Sequence, residues 1–513
     1  MTSAQTIFIE EPELQFGFAQ TARDPKQGLF LFGPLRDGLM PMRIRVGVVG
    51  TAEGLRLYTN WVRSAGRPIS TPAASTTSVF YPGFRELFGC EWPESPDIVC
   101  PVAADAVSSA LRIAERHVAV FRTVSLFVDA ISTSVLEDEA RPDIWFVVVP
   151  DEVYAFARPK SGVPVAQRTK SETLMNARLA RQLTREPSLF DDDMAAAKPF
   201  LYDLDFHNQL KVRLLERLIV TQIVRESTLQ PETSDSRRRL QDAATVAWNM
   251  SLSTYYKVGG KPWKVANVRD GVCYVGLVFK KDITGPSEEY ACCGAQMFLS
   301  GGDGMVFKGR LGDWYSPRTR EFHLTRETAR EVCSGVVDAF TKLTGSPPRE
   351  LFVHGKTRFD SEEWAGFCDA VPATTNVVGV RITRSDEFKL YRPGRMPVIR
   401  GTTLIDTQRV AYLWTSGYVP DLRTYPGWET PNPLRIEICR GDSSIEVVAR
   451  DVLMLTKLNF NSCIYGDGLP VTLRFADAVG EILTSAPDVP SAPLPFSRPL
   501  KNPSPPPVWA ATI

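Results

Sequence analysis

The sequence predicts an α/β protein of two domains, and three observations support this prediction. The chain has 513 residues, which is too long for a single hydrophobic core. The run IWFVVV at 144–149 is continuously aromatic or β-branched and ends at Pro150, as is typical of a strand buried on both faces of a parallel sheet. After about residue 260 the pattern changes to a meander of apolar strands, which predicts a second domain of different topology.

Short apolar runs and helix-like stretches alternate through the first part of the chain, as expected of a doubly wound α/β domain. The strand-like run RIRVGVVGT at 43–51 is followed by the helix-like TAEGLRLYTNWVRSAG at 51–66. In such domains ligands bind beyond the carboxyl ends of the parallel strands. The segment PDEVYAFAR at 150–158 is therefore expected at the rim of a ligand-binding crevice.

The second half of the chain begins with a helix and continues as strands. A helix-like stretch at 241–257 ends before Gly259 and Gly260, a common C-terminal stop. The elements predicted after it are strands at 272–280 and within 295–309, a helix at 326–344, a strand at 351–355, a helix from Ser361 and a strand at 377–383. Antiparallel strands followed by alternating helices and strands are the order of an RNase H-like fold. We therefore expect the domain boundary near 240–265.

The composition excludes a whole-molecule electrostatic attraction for nucleic acid. Lys and Arg together number 59, as do Asp and Glu, so nucleic-acid binding would depend on local clusters of charge. The nine cysteines include no CxxC pair, and we interpret them as buried thiols of a cytoplasmic protein. The N-terminal MTSAQTIFIEEPELQF has no basic stretch followed by an apolar one, so we expect neither export nor membrane insertion.

Four polar residues are predicted to meet around one anion. His207 and Lys211 are spaced so that they share one face of a helix. The run IVTQIV at 219–224 is rich in β-branched residues, which indicates that the helix ends near 218 and that a strand carries Gln222. Lys257, on the last turn of the next predicted helix, could complete the ring. Two ammonium groups and neutral donors suit a terminal phosphate that carries close to two negative charges.

The segments that carry this ring are similar to the MID-domain signature of Argonaute proteins. The similar segments are HNQLKVRLL, TQIVRES and YYKVGGKPWK, and further similarity lies in IEEPEL, FGPL, WFVVVPDEVY, VCYVGLVFKK, ACCGAQMFL, GDGMVFKG, LTKLNFN and PVTLRFADAVGEILT. The resemblance implies that His207, Lys211, Gln222 and Lys257 hold the 5′-phosphate of a guide strand. Taken alone, an HxxxK pair is also the pattern of a solvated helix face, and the macrodipole favours a lysine near a helix C-terminus.

The resemblance covers about residues 1–485 and identifies a short prokaryotic Argonaute. Such proteins have a Rossmann-like MID domain followed by an RNase H-like PIWI domain, without N and PAZ domains. We assign 1–245 to the MID domain, 246–485 to the PIWI domain and 486–513 to a Pro-rich C-terminal tail, which we expect to be extended.

The same resemblance implies that the PIWI domain is not an enzyme. Active PIWI domains hold two divalent metal ions with acidic residues. The first ligand position is Val278 here, in YVGLV, and the second is Lys356, in VHGKT. Asp477, in RFADAVG, is the one remaining acidic match, and a single carboxylate does not hold two metals. Its alternative role is that of a structural hydrogen-bond acceptor.

Local basic clusters are candidates for contact with nucleic-acid backbones. The clustered residues are Lys261 and Lys264, which follow Lys257, and Arg381, Arg384, Lys389, Arg392, Arg395 and Arg400. Phosphates of a guide and target duplex would bind such groups without regard to sequence, although a solvated charged surface gives the same pattern. Tyr154 could stack on the first guide base or could be a half-buried loop aromatic.

The C-terminus departs from the family. In several relatives a terminal carboxylate on an apolar residue helps to hold a metal ion at the guide 5′-phosphate. The matching candidate is Ile513, but here a Pro-rich extension follows LPFS. The resemblance therefore implies Mg²⁺ beside the guide 5′-phosphate and leaves the contribution of Ile513 open.

By resemblance the chain is a guide-binding sensor in bacterial defence against plasmids and phages. The resemblance implies a guide RNA, a single-stranded DNA target and an APAZ-domain effector protein. The effector would carry a TIR domain, a sirtuin-like domain or a nuclease, and the TIR type is the most similar. The resemblance also implies a heterodimer without membrane contact and leaves oligomerisation on target binding open. One alternative is a guided metal-dependent nuclease using Asp303, Asp360 and Asp477. Another is a small-molecule-binding α/β protein, which the lack of a GxGxxG or Walker loop disfavours.

Overall fold

The structure is a computed structural model, and it describes most of the chain. The described residues are 4–36, 40–71, 79–137, 141–169, 175–186, 188–215, 217–230, 242–281, 290–298, 304–313, 315–316, 320–425, 427, 429–487 and 494–495. Two large sheets and their helices account for most of these residues.

The first half of the described chain alternates strands with helices. In chain order the elements are β1 (Gln5–Phe8), β2 (Leu14–Gln15), β3 (Thr21–Ala22), α1 (Pro25–Phe32), β4 (Val46–Gly50), α2 (Ala52–Ala65), α3 (Phe84–Phe88), β5 (Ile98–Pro101), α4 (Ala104–Leu111), α5 (Arg116–Glu137), β6 (Ile144–Val149), α6 (Asp151–Phe156), α7 (Ala177–Arg185), α8 (Asp191–Ala197), α9 (Phe206–Leu215), β7 (Thr221–Arg225) and α10 (Ala243–Lys257).

The second half begins with strands and then alternates. Its elements are β8 (Lys264–Val265), β9 (Val272–Lys281), β10 (Tyr290–Phe298), β11 (Gly304–Asp313), β12 (Tyr315–Ser316), β13 (Glu321–Phe322), α11 (Arg326–Thr344), β14 (Glu350–Gly355), α12 (Ser361–Asp369), β15 (Asn376–Arg384), β16 (Thr402–Thr407), β17 (Val410–Leu413), β18 (Leu434–Arg440), α13 (Ile445–Leu455), α14 (Val471–Leu483) and β19 (Leu494–Pro495).

Four parallel strands form the first sheet, in the order β5-β4-β6-β7. Every residue of β6 is buried, as its apolar sequence predicts, because helices cover both faces of the sheet. At the carboxyl end of β4, Thr51 begins α2 by accepting a hydrogen bond from the Gly54 amide. The carboxyl ends of the strands therefore lead into helices and loops at one edge of the sheet.

Helix α5 is a core helix of this first sheet. By length and composition its segment Arg116–Leu136 could cross a membrane, and it is the one such helix in the described part of the chain. However, Phe127 and Ile131 are fully buried, together with Trp145 and Val147 of the sheet. Packing against the sheet therefore accounts for its apolar sequence.

The second sheet has ten strands in the order β1-β16-β17-β18-β15-β14-β9-β10-β11-β19. At its centre β9 pairs antiparallel with β10 and parallel with β14, and β14 pairs parallel with β15. This is the mixed sheet of an RNase H-like fold. The predicted run at 295–309 is divided between β10 and β11, whereas the helix predicted at 326–344 has those bounds in α11.

Alternate residues of β9 face two different cores. Cys273, Val275 and Leu277 pack on one side with residues of α11 and α12. Tyr274 packs on the other side with residues of α13 and α14. On this second side a Cβ atom at Gly276 would lie 1.8 Å from the Thr472 carbonyl oxygen, so only glycine allows the first turn of α14 to rest on the strand.

The N-terminal strand belongs to the ten-stranded sheet. β1 pairs antiparallel with β16, in the register Gln5 to Ile405. This placement differs from the assignment of all of 1–245 to the first domain, because backbone pairing with a strand four hundred residues away leaves no local sequence pattern. The boundary at 245/246 itself stays a prediction.

Candidate nucleic-acid interface

A cavity of about 550 Å³ lies beyond the carboxyl ends of β6 and β7. The rim segment predicted at 150–158 supplies part of its wall, as expected of a parallel sheet. The polar residues that line it are Tyr154, Arg158, Asp205, His207, Asn208, Gln222, Arg225, Thr228, Asn249, Ser253, Asn461 and Glu481. The last two belong to the second half of the chain, so the wall combines both parts of the fold.

The cavity is reached by α9 and β7 as the sequence predicts. Helix α9 ends at Leu215, and the chain reverses through Leu218, whose φ of 52° is left-handed. Strand β7 then runs beside β6 and presents Gln222 opposite Phe146. This reversal brings His207 of α9 and Gln222 of β7 to one cavity.

Lys257 is hydrogen-bonded to the strand that carries Gln222. Its ammonium donates to Gln222 Oε1 at 2.7 Å and to the Thr221 carbonyl oxygen at 3.0 Å. Ser253, one turn earlier on α10, donates to the same Gln222 Oε1 at 3.2 Å. Lys257 is 7% exposed and does not line the cavity.

His207 and Lys211 carry depressed pKa values for the same reason. Burial lowers the pKa of Lys211 to about 8. His207 is exposed at the cavity, but desolvation by the surrounding residues, and then the charges of Lys211 and Lys257, lower its pKa to about 4, so its imidazole is neutral at pH 7. Burial and the charge of Lys211 also hold the pKa of Lys257 well below its ordinary value. The charges of Lys211 and Lys257 thus act on the same imidazole.

The two lysines lack a compensating carboxylate. Among the ion pairs of the described residues, none includes Lys211 or Lys257. Buried charges in folded proteins are normally paired, because desolvation is costly. A site with two buried ammonium groups, an amide and a neutral imidazole is therefore suited to bind an anion of high charge.

Tyr154 lies at the mouth of the cavity and is 47% exposed. The guanidinium carbons of Arg158 and Arg225 lie 4.4 and 4.3 Å from the centroid of its ring. The ring therefore already engages two cations. Sequence reasoning missed both arginines, although the segments PDEVYAFAR and TQIVRES contain them.

The three positions that the sequence matches to a hydrolytic site are Val278 on β9, Lys356 directly after β14 and Asp477 on α14. Val278 is buried, and a Cβ atom at Gly480 of α14 would lie 3.6 Å from its Cγ2. The Lys356 ammonium is hydrogen-bonded to Asp477 Oδ2. Lys280 lies 3.4 Å from Asp477 Oδ1, so two ammonium groups flank the one matching carboxylate.

Asp360 and Asp477, two carboxylates of the nuclease alternative, have different partners in the described part of the chain. Asp360 begins α12 and accepts a hydrogen bond of 2.8 Å from the Glu363 amide, which is a structural role. Asp303 lies outside the described residues. Within the described ranges, no group of three or more His, Cys, Asp or Glu side chains is arranged to hold a metal ion.

The predicted backbone-binding residues occupy several environments. Arg381 donates to the Lys356 carbonyl oxygen at 3.1 Å, Arg384 is exposed at the end of β15, and Arg392 lies 5.0 Å from the Tyr418 ring. Lys261 and Lys264 lie half-buried beside the small sheet of β2, β3 and β8 and do not line the cavity. Arg400, by contrast, is 4% exposed and has a structural role.

A cluster of arginines around Glu437 was not predicted. Glu437 contacts Arg358 at 2.6 Å, Arg435 at 2.5 Å and Arg381 at 3.8 Å. We call Arg358, Arg381 and Arg435 the arginine cluster. Three guanidinium groups share one carboxylate, which leaves a local excess of positive charge next to Lys356. Pairing of β15 with β18 places Arg381 opposite Glu437, and Arg358 reaches the same carboxylate from the segment after β14.

The described residues do not by themselves form a Mg²⁺ site at the cavity floor. Mg²⁺ prefers carboxylate and water oxygens, whereas the buried side chains of Lys211 and Lys257 add positive charge behind the cavity wall. The carboxylates of Asp205 and Glu481 lie in the wall, and Gln222 Oε1 already accepts two hydrogen bonds. Ile513, the predicted source of a terminal carboxylate, lies outside the described residues.

The fold is similar to that of solved Argonaute structures. Clostridium butyricum Argonaute bound to a guide DNA and a 19-mer target DNA matches with a TM-score of 0.63 and 15% identity over 95% of this chain and 54% of that one. A. aeolicus Argonaute matches with a TM-score of 0.57 and 12% identity over 96% and 55% of the two chains. Drosophila Piwi matches with a TM-score of 0.57 and 12% identity over 97% and 56%.

These similarities show the fold. The chain has the α/β architecture of the MID and PIWI domains, a Rossmann-like sheet followed by an RNase H-like sheet, as the sequence predicts. It spans about half the length of the structures that it matches. No protein-family model and no curated protein matches the sequence.

Proposed function

We propose that the chain binds the 5′-phosphorylated end of a guide strand in the cavity at the carboxyl edge of the parallel sheet. The observation that supports this most directly is the pair of buried lysines, Lys211 and Lys257, which have no carboxylate partner in the described structure. A terminal phosphate would supply the missing negative charge. The cavity volume of about 550 Å³ is also large enough for a nucleotide rather than a phosphate alone.

Binding of matched oligonucleotides tests this proposal. A short guide with a 5′-phosphate should bind more tightly than the same guide with a 5′-hydroxyl, and Lys211→Met should abolish most of the difference. Charge-assisted hydrogen bonds contribute roughly 1.5–3 kcal/mol each, so we expect a loss of at least about tenfold. Lys342→Met, at an exposed position of α11, is the matched control. Equal affinity of the two guides for the native protein would refute the proposal.

Guide and target backbones would then extend over the arginine cluster and Arg384. Their contacts would be with phosphates, which hold a duplex in register without reading its sequence. By resemblance we propose a guide RNA and a single-stranded DNA target. Parallel binding measurements with RNA and DNA guides of one sequence distinguish the two, since Clostridium butyricum Argonaute was solved with a guide DNA.

We further propose that the PIWI domain binds a target without cutting it. The support is local electrostatics: Lys356 and Lys280 flank Asp477, where a divalent cation would be repelled. A guided target should therefore stay intact with Mg²⁺ or Mn²⁺. Cleavage that is lost in Asp477→Asn would establish the guided nuclease instead.

The activity of the assembly would then lie in a partner. By resemblance we propose an APAZ-domain effector protein with a TIR, sirtuin-like or nuclease domain, acting in defence against plasmids and phages in the cytoplasm. Co-purification of the chain from its native cells, with mass measurement of bound protein and chemical analysis of bound nucleic acid, tests both parts of this proposal. Recovery of the chain with a guide but without a protein partner would remove the second part.

A further inference from the structure

We propose that a patch of five basic side chains beside the cavity mouth binds the phosphates of the target strand where it continues, unpaired, past the 5′ end of the guide. We call Arg112, Arg116, Arg158, Lys160 and Arg168 the rim patch. The inference rests on the proposed function, because a guide held by its 5′ end in the cavity determines which part of a target passes this patch. It adds a second nucleic-acid contact outside the cavity.

Hydrogen bonds to the backbone bring the rim patch together from two separate segments. The amide of Thr169, directly after Arg168, donates to the Arg112 carbonyl oxygen at 2.8 Å. The Arg116 guanidinium donates to two carbonyl oxygens of the loop, at 2.7 Å for Arg158 and at 3.1 Å for the next residue. The loop therefore lies against the start of α5, and its basic side chains lie beside those that precede and begin the helix.

The rim patch has an excess of positive charge. None of the ion pairs among the described residues includes one of its cations. A Cβ atom at Gly162 would lie 3.5 Å from Arg116 Nε and 3.7 Å from Arg168 Nη2, so two guanidinium groups flank one glycine. Glu115, the one acidic residue of the segments 112–116 and 158–169, accepts a hydrogen bond of 3.2 Å from the amide of residue 117. Repulsion among these cations would be relieved by a bound polyanion.

The rim patch is accessible and carries no aromatic ring. Arg112, Lys160 and Arg168 are exposed, and the side chains of Arg112 and Lys160 make no hydrogen bond within the described chain. Neither segment of the patch contains Phe, Tyr or Trp on which a base could stack. Cations of this kind contact backbone phosphates, so binding would not depend on the base sequence.

Arg158 connects the rim patch to the cavity mouth. It lines the cavity and contacts the Tyr154 ring, and its carbonyl oxygen accepts a hydrogen bond from Arg116. Paired strands run antiparallel, so the strand that continues past the 5′ end of a guide is the 3′ flank of the target. This continuity with the guide site favours target phosphates over an acidic protein segment as the ligand.

Targets that differ only in their flanks test this inference. The chain, loaded with one 5′-phosphorylated guide, is titrated with a target that ends at the guide 5′ end and with the same target extended at its 3′ end by about eight thymidines. If the four cations other than Arg158 each contact a phosphate, the slope of log K against log salt should be steeper by about 3 for the extended target. Equal slopes for the two targets would overturn the proposal.

A double variant tests the residues. Arg112→Gln combined with Lys160→Gln should reduce the extra slope by about half, and should leave binding of the unextended target and the preference for a 5′-phosphorylated guide unchanged. Arg217→Gln combined with Lys342→Gln is the matched control, because both residues are exposed and Arg217 lies at the opposite, amino edge of the parallel sheet. An extra slope that is the same in the rim variant and in the control would contradict the role of the patch.

Photo-crosslinking locates the flank directly. Thiothymidine in the 3′ extension should crosslink to peptides that contain residues 112–116 or 158–168, which mass spectrometry identifies. Crosslinks confined to other parts of the chain would overturn the proposal even if the slopes differ. A native chain that does not distinguish 5′-phosphorylated from 5′-hydroxyl guides would instead refute the proposed function, so the two failures are distinguishable.

Discussion

Glu11 and Arg400 form a buried ion pair in which the Arg400 Nε donates to Glu11 Oε2 at 2.9 Å. The Lys457 ammonium lies 2.9 Å from the other carboxylate oxygen of Glu11. Burial acts to raise the pKa of Glu11, but Arg400 and Lys457 outweigh it and lower that pKa. These two contacts hold the N-terminal segment to Arg400, which precedes β16, and to Lys457, which follows α13.

Removal of this carboxylate should destabilise the protein strongly. In Glu11→Ala, Arg400 and Lys457 would remain buried without their anion, which costs roughly 3–5 kcal/mol in comparable cases. The midpoint of urea unfolding measures the loss. Glu10→Ala is the control, because Glu10 is 81% exposed and its contact with Arg23 spans 3.6 Å. Equal midpoints for the two variants would contradict the structural role of Glu11.

Acid should destabilise the fold through His354. This side chain is fully buried, and burial lowers its pKa to about 3. The unfolded chain protonates histidine below about pH 6.5, whereas the folded chain stays neutral, so stability is lost as the pH falls from 6.5 towards 3. At pH 5 the loss is about 2 kcal/mol. His354→Gln should unfold with a flatter pH dependence between 6.5 and 4, and an unchanged slope would contradict the assignment.

The arginine cluster should contribute to binding of a guide and target duplex through phosphates. Arg358→Ala combined with Arg435→Ala is expected to weaken binding similarly for all sequences. It should also reduce the slope of log K against log salt by about 2. Arg326→Ala is the matched control, because Arg326 is an exposed arginine that pairs with Asp369 rather than with Glu437. A slope equal to that of the native protein would exclude phosphate contacts at these positions.

Tyr154 should act by holding Arg158 and Arg225 at the cavity mouth. Each exposed cation–π contact is worth about 0.5–1 kcal/mol, so Tyr154→Ala should weaken guide binding by about twofold to thirtyfold. Tyr154→Phe keeps the ring and should bind as the native protein does. If Tyr154→Phe is as weak as Tyr154→Ala, the hydroxyl group rather than the ring carries the effect.

Local patterns predicted the elements that present the cavity. The β-branched run at 219–224 correctly indicated that α9 stops before a strand, because β-branched side chains disfavour a helix and favour a sheet. The continuous apolar run at 144–149 likewise predicted the central buried strand. Both signals depend only on neighbouring residues, so the sequence alone contains them.

Contacts between distant strands were not predictable in this way. The placement of β1 beside β16 depends on backbone hydrogen bonds, which carry no side-chain pattern. The arginine cluster depends on the register of β15 with β18, and the hydrogen bond of Lys257 to Gln222 depends on side-chain rotamers at the end of α10. Residue types near a site were therefore easier to predict than the direction in which each group points.

Helix α14 touches both candidate sites. Asp477 meets Lys356, and the next residue, Ala478, together with Glu481, lines the cavity. Because the first turn of the helix rests on the backbone of Gly276, it has little freedom to tilt independently of β9. A shift of α14 relative to β14 that accompanies occupancy of the cavity would change the distance between Lys356 and Asp477, so a spectroscopic label near Lys356 would report on a ligand that it never contacts.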